Sequence, residues 1–410
     1  MTKPRVAVVV SHPIQYQAPW FRGLARELDL HVFFCHRQDG AGQAAAGFGV
    51  AFEWDVPLLE GYSHSWLEHV SPEPGVERFS GCDTPGVGRA LAGGHFDACI
   101  VQGWYLKSYL QALWACRRLG IPVLARGDSH LQTARNPLWS AAKYVPYRLL
   151  LNAYDGHLYV GQKNREYLEH YGVPAARLFF VPHAVDNAFF ATRAEEARRS
   201  GAAHALRTEL GIPQDAVVFA FCGKLLPNKR VADFVRAVGL ARQQGMSVFG
   251  VILGSGPEEG ALRALASNVK APVSFAGFRN QGDLPAAFSA ADALVLPSGG
   301  ETWGLVVNEA MACGLPAIVS TGVGCGPDLI ADGSTGDVFP TGDVEAFALA
   351  LQRVAVRLQT RPADVQRAVK GTIDRYSIEA AVEGTRRAIS SLRHPSRSTA
   401  VPGTESGQVL

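Results

Sequence analysis

The chain has 410 residues and a formal net charge of +2, with 39 Lys and Arg against 37 Asp and Glu. Its hydrophobic share is 47% and its charged share 19%, ordinary globular values that exclude a wholly disordered chain. The near-balance of charge gives no global polycation for nucleic acid, and the length leads us to expect two or three domains.

Residues 5–11 (RVAVVVS) read as a short buried strand ended by turn residues. A helical pattern follows at 20–28, then strands at 30–35 and 97–103, a helix at 107–119 and a strand at 121–127. Further short strands begin at His157 and Leu178. Strand and helix alternate, which predicts a parallel sheet covered by helices. Residues 191–208 are rich in Ala and Arg and poor in strand formers, and read as a linker or surface helix. The alternation then restarts, with strands at 216–223, 247–256, 273–278, 293–298, 317–320 and 336–340 and helices running to about 242 and 267. The fold expectation is α/β, with two doubly wound Rossmann-like units facing across a cleft. Ligands of such sheets bind beyond the strands' carboxyl ends. The polar, Pro- and Gly-containing end at 395–410 is expected to be disordered.

The seven cysteines are odd in number and include no CxxC pair, which argues against a disulfide framework or a structural zinc and fits a reducing cytosol. The first apolar run has five residues, too short for a secretory leader. No stretch approaches the roughly 20 apolar residues of a membrane span.

Chemistry concentrates at 297–320 (PSGGETWGLVVNEAMACGLPAIVS). A strand ends, a glycine-rich loop follows, and a helix should start near Gly304-Leu305 and stop at Gly314, with Pro316 beyond it. Glu301 then lies in the loop and Glu309 in the helix. Free N–H groups and the positive dipole end at this helix start suit a diphosphate, and a carboxylate further in can take two ribose hydroxyls. The alternative is an ordinary turn with solvated glutamates. Lys224 and Lys229 flank a turn at the carboxyl end of the 216–223 strand, where they could neutralise a leaving phosphate or be solvated surface lysines. Gly254-Ser-Gly256 follows a strand, but its spacing to Gly260 does not fit a dinucleotide fingerprint, and Phe275 stands where the acidic ribose partner should be. No NAD site is expected.

Lys224-x4-Lys229, Gly254-Ser-Gly256-Pro257, Gly277-Phe278, Glu301-x7-Glu309, Gly322-Val-Gly324, Asp332-Gly333 and Gly336 together resemble the nucleotide-sugar half of glycosyltransferase family 4, retaining enzymes of GT-B fold. Residues 181–190 (VPHAVDNAFF) look like the family's closing stretch of the N-terminal domain, and 376–392 like its final helix, which packs back on that domain. The resemblance implies an acceptor-side domain at 1–190, the linker at 191–208, a nucleotide-sugar domain at 209–374 and the returning helix at 375–394.

By the same resemblance, Lys224 and Lys229 hold the diphosphate, Glu309 the ribose, and Glu301 with the Gly304-Leu305-Val306 backbone the donor sugar and phosphate. Gly256 belongs to the donor site, and the backbone at Phe278-Arg279 meets the base. No D-x-D occurs, which agrees with a metal-free mechanism and no cofactor besides the nucleotide-sugar substrate. The N-terminal half departs from the family's common Gly-Gly pair. It carries Ser11-HPIQYQAPWF, a His-Pro-Ile-Gln-Tyr loop that a bacterial subset of the family shares. That places His12, Gln15 and Tyr16 at the cleft mouth, unless His12 only caps the turn. Asp128 falls in register with a family histidine and His130 lies two beyond. With Arg126, these contact donor sugar or acceptor, or else form a salt-bridged loop. Residues 137–151 mix aromatic, apolar and basic types. They read either as a membrane contact or as a buried helix pair with snorkelling Lys143 and Arg148.

The expected protein is a cytoplasmic, metal-independent, hexosyltransferase-like retaining glycosyltransferase, peripheral at the inner membrane face if it contacts lipid. It would take a nucleotide-sugar donor and a carbohydrate or lipid-linked acceptor for surface polysaccharide or glycolipid synthesis. The rival readings are a nucleotide-sugar epimerase or pseudo-glycosyltransferase on the same fold, and a catalytically silent partner subunit.

Overall fold

The structure is a computed structural model that describes residues 3–38, 49–132, 137–330 and 333–393. The tail at 395–410 and Asp332 lie outside the described residues. The first half builds a seven-stranded sheet in the order β3-β2-β1-β4-β5-β6-β7. Its strands are β1 (Arg5–Val10), β2 (Asp29–Phe34), β3 (Ser63–Trp66), β4 (Ala98–Val101), β5 (Val123–Gly127), β6 (Gly156–Tyr159) and β7 (Leu178–Phe180). The second half builds a six-stranded sheet in the order β10-β9-β8-β11-β12-β13. These are β8 (Val217–Cys222), β9 (Val248–Leu253), β10 (Val273–Gly277), β11 (Ala293–Leu296), β12 (Ala317–Ser320) and β13 (Gly336–Phe339). The described pairs are parallel. Strand order reverses between β1 and β4 and again between β8 and β11, and a reversal of this kind opens a crevice at the strands' carboxyl ends.

The apolar run in β1 is buried on both faces, as a central parallel strand requires. Val6 and Val8 pack with Trp20, Phe21 and Leu24. Ala7 and Val9 point the other way, toward Leu91, Tyr109 and Leu113. This two-residue alternation assigns each face its helical layer. The helix Lys107–Leu119 stops at Gly120, whose φ of 69° lets the chain reverse.

Helices Asn187–Arg199 and Ala202–Glu209 occupy the stretch that reads as a linker or surface helix, and Phe190 and Ala194 are buried in the core of the second half. Two helices unmarked in the sequence reading, Val344–Thr360 and Pro362–Ile373, also cover that half. The last helix, Ile378–Arg393, crosses back to the first sheet, where Ala381, Ala388 and Ile389 join the cluster around Val6 and Val8. A single helix, Pro137–Asn152, with Pro146 inside it, takes the place of the helix pair. Among the described residues no helix is long and apolar enough to cross a membrane.

Candidate active site

A cleft of about 570 Å³ lies between the two halves. Gln15, Tyr16 and Trp54 line it from the first half. From the second half come Lys224, Lys229, Phe278, Arg279, Glu301, the Gly304-Leu305-Val306 turn and Glu309. A larger cavity of about 1070 Å³ runs between helices Gln17–Glu27, Asn187–Arg199 and Pro362–Ile373, and none of these residues reaches it.

Glu301 sits on a loop pinned from below. Its N–H donates to the Gly322 carbonyl (3.1 Å), and the Gly324 N–H donates to the Glu301 carbonyl (2.9 Å). The loops approach so closely that a Cβ at Gly324 would lie 1.9 Å from the Thr302 carbonyl oxygen, so glycine is a steric necessity here. Gly304, with φ of 100°, turns the chain into the helix Leu305–Ala312. The first N–H groups of that helix lack intrahelical acceptors, and Gly304, Leu305 and Val306 line the cleft. Trp303 Nε1 donates to Asn308 Oδ1 (2.8 Å), and Asn308 Nδ2 donates to the His183 carbonyl (3.1 Å), which fixes the helix start to the first half.

Lys229 ends a 3-10 turn, Pro227–Lys229, beyond β8 and forms an ion pair with Glu301. Both side chains keep about a fifth of their surface exposed, at 18% and 22%, so the pair opens onto the cleft. Burial and the nearby Lys229 charge lower the pKa of Lys224, against the pull of Glu77 and Glu301. Glu309 is 7% exposed and accepts a hydrogen bond from Gln281 Nε2 at 2.9 Å. Burial pushes its carboxyl up to about 7, only partly offset by Gln281. Gly256 does not line the cleft. A Cβ there would lie 2.6 Å from the Leu225 carbonyl oxygen, so this glycine lets the β9 loop support the Lys224 loop.

Asp128 and His130 follow β5 and grip the Glu301-Thr302 loop. Thr302 Oγ1 donates to Asp128 Oδ2 (2.8 Å), and His183 Nε2 lies 3.7 Å from that oxygen. Burial would raise the Asp128 pKa, but His183 and Thr302 outweigh it and hold the carboxyl at about 2. His130 Nδ1 accepts from the Gln132 N–H (3.2 Å), which leaves Nε2–H to donate to the Glu301 carbonyl (3.2 Å). Burial lowers the pKa of this imidazole.

Tyr16 meets His183 edge-on, with ring centres 5.6 Å apart, and burial raises its hydroxyl to about 12. Arg126 does not face the cleft. Its Nη2 donates to the Pro182 carbonyl (3.2 Å), and its guanidinium lies over the Trp20 ring at 4.8 Å. His12 is also set back, bonded to Ser11 Oγ (3.0 Å) and 5.3 Å from the His36 ring. Burial and His36 lower it to about 4. Thus Asp128 and His130 converge on Glu301-Thr302, and His12 does not join them. The reading of single residues missed His183, Gln281, Thr302 and Trp54. His183 stands within the VPHAVD stretch and Gln281 three residues beyond Phe278, so both had a sequence signal. Trp54 had only the strand-like alternation of apolar and acidic residues at 52–56.

Residues 203–361 match the family described as glycosyl transferases group 1. The matched residues lie within the second half. A D-inositol 3-phosphate glycosyltransferase of Saccharomonospora viridis is 37% identical to this chain over 190 residues, 44% of each chain. One from Mycobacterium bovis is 32% identical over 210 residues, 50% of this chain and 40% of that one. The chain thus matches less than half the length of these relatives. Across nearly the whole chain the GT-B fold is shared with solved structures. Anabaena Alr3699/HepE in complex with UDP has a TM-score of 0.71 at 16% identity, covering 94% of this chain and 100% of that one. WaaG, a glycosyltransferase involved in lipopolysaccharide biosynthesis, has a TM-score of 0.62 at 16% identity, covering 94% and 99%.

Proposed function

We propose that the protein is a retaining glycosyltransferase that moves a hexose from a nucleoside-diphosphate sugar to an acceptor hydroxyl. The observation that carries this reading is the Lys229–Glu301 pair at the start of helix Leu305–Ala312, with buried Glu309 behind it. Solvated glutamates and lysines do not account for a cleft-facing cation, a helix N-terminus and a buried carboxylate in one place.

In this reading the donor's diphosphate takes Lys229 from Glu301 and meets Lys224 and the first N–H groups of the helix. Charge grows on the leaving diphosphate as the C1–O bond breaks, and fixed donors aimed at that charge lower the barrier. Glu309 accepts the ribose hydroxyls and Glu301 turns to the sugar. The acceptor hydroxyl approaches from the side of Gln15, Tyr16, Asp128 and His130. Its oxygen bonds to C1 and its proton leaves with the released diphosphate. The lysines and helix end supply positive charge, so we expect turnover to survive a chelator. Loss of activity in EDTA with recovery on Mg²⁺ would remove that expectation.

The acceptor belongs to surface polysaccharide or glycolipid synthesis, a reading supported by the fold shared with WaaG, a glycosyltransferase involved in lipopolysaccharide biosynthesis, and the site of action is the cytoplasmic side of a membrane. Helix Pro137–Asn152 packs Tyr144, Tyr147 and Leu150 inward and leaves Val145 (60%) and Leu149 (69%) exposed near Lys143 and Arg148. That outer face suits a peripheral contact with an anionic bilayer. A thermal-shift panel of nucleotide sugars, uridine nucleotides first, tests the donor, since a bound ligand raises the melting temperature by mass action. NMR of the product's anomeric coupling tests retention, and an inverted product would sink the retaining assignment.

A further inference from the structure

The first half sends one extended segment across the cleft. Along residues 51–57 exposure alternates, with Phe52, Trp54 and Val56 turned inward and their neighbours outward. Its root is held to the first half, where Arg22 Nη1 donates to the Pro57 carbonyl at 2.9 Å. Its tip grips the loop after β10. The Phe52 ring lies 4.6 Å from the Phe278 ring. Asn280 Nδ2 donates to the Glu53 carbonyl (2.7 Å), and the Gly282 N–H donates to the Asp55 carboxylate (3.0 Å). A Cβ at Gly282 would lie 2.6 Å from Asp55 Oδ2, so the loop is shaped to receive that carboxylate. Between these anchors Trp54 lines the cleft beside Phe278 and Arg279, braced edge-on by Phe52 at 4.9 Å.

We propose that Trp54 is the outer wall of the donor's nucleobase pocket, a stacking platform delivered by the half that does not hold the diphosphate. The proposal rests on the donor reading above. Phe278-Arg279 supply the inner wall, and the indole covers the base from the other side. Every nucleobase presents a π face, so stacking on an indole adds affinity without choosing among bases. Choice of base then falls to the polar groups of the Phe278–Gly282 loop. Because the segment belongs to the first half, a stacked base also ties the two halves together.

Calorimetry with two probes tests this: the nucleoside diphosphate that binds the wild type most tightly among UDP, GDP and ADP, and inorganic pyrophosphate, which lacks the base. Trp54→Ala should weaken the nucleoside diphosphate about 10-fold or more, the scale of one base–aromatic stack, and leave pyrophosphate unchanged. Trp54→Phe should recover most of the loss. Asp55→Ala, which frees the tip of the segment, should repeat the Trp54→Ala pattern in weaker form. Equal weakening of both probes would mean that Trp54 only supports the cleft, and unchanged nucleoside-diphosphate affinity would mean that the base lies elsewhere. Either result overturns the proposal. A wild type that binds none of the three nucleotides overturns the donor reading itself, which is distinguishable from failure of the Trp54 step.

Discussion

Lys229 and Glu309 test the donor reading one side chain at a time. Lys229→Ala removes a charge-assisted contact worth roughly 1.5–3 kcal/mol, so nucleotide-sugar turnover should fall about 10- to 100-fold. The melting temperature should change little, since the ion pair is partly exposed. An unaltered rate would take Lys229 out of the site. Glu309 gives a pH signature instead. The folded carboxyl keeps its proton to about 7, and the unfolded one loses it near 4.5. The folded state therefore binds more protons in that window, and ligand-free stability falls as pH rises through it, by about 3 kcal/mol in all. Glu309→Gln should flatten that fall in a series of melts from pH 4.5 to 8. Ribose hydroxyls that donate to the carboxylate favour its charged form, so donor binding should release a proton near pH 6.5. Calorimetry in buffers of different ionisation enthalpy measures that release, and a wild type with a flat melting profile would contradict the role of burial at Glu309.

The glycine-rich loop before helix Leu305–Ala312 is useful only because the loop at Gly322–Gly324 supports it. Gly324→Ala forces a Cβ against the Thr302 carbonyl, and overpacking of this kind costs about 1–3 kcal/mol. It should lower both melting temperature and donor affinity, whereas Gly300→Ala, with nothing within 4 Å of its Cβ, should change stability little. Equal melting temperatures for the two variants would show that the loops have room to part. The β5 loop acts on the same element from the other side. His130→Ala loses the bond to the Glu301 carbonyl and should raise the donor KM more than it lowers kcat. Asp128→Ala should act more on kcat if the carboxylate orients sugar or acceptor. Steady-state kinetics on the pair separates these roles.

The two halves are also joined by Asp328 and Lys163. Asp328 accepts from the Gln162 N–H (3.0 Å) and the Tyr376 hydroxyl (2.9 Å). Lys163 Nζ donates to the carbonyls of Thr321 (3.1 Å) and Val323 (2.9 Å). These contacts bridge the two halves, and closure that excludes water protects a donor from hydrolysis. Asp328→Ala combined with Lys163→Ala should raise the radius of gyration of the free protein in small-angle scattering. Saturating nucleoside diphosphate should bring it back, and the same radius before and after the substitutions would place closure under the control of the other contacts.

The fold was legible because its signals are local. Apolar strands such as 216–223, turn glycines such as Gly120 and Gly304, and the recurrence of strand and helix all lie within short windows. The resemblance marks Lys224 with Lys229 and Glu301 with Glu309, two pairs whose spacing within two strand–loop–helix units is visible in the sequence itself. Helix Val344–Thr360, capped by Asp343, goes unmarked in the sequence reading. What the tertiary structure decided is what comes from elements far apart in the chain. The contact of Asp128 with Thr302 spans 174 residues and that of His130 with Glu301 spans 171. Arg126 turns toward Trp20 and His12 toward His36, because an apolar platform and a neighbouring ring outcompete the open cleft. Trp54 enters the site on an extended segment whose alternation of apolar and acidic residues at 52–56 marks a strand-like face but not what that face meets. Sequence by itself determines which groups a strand end or helix start can present; only the packing of one half against the other determines which of them meet.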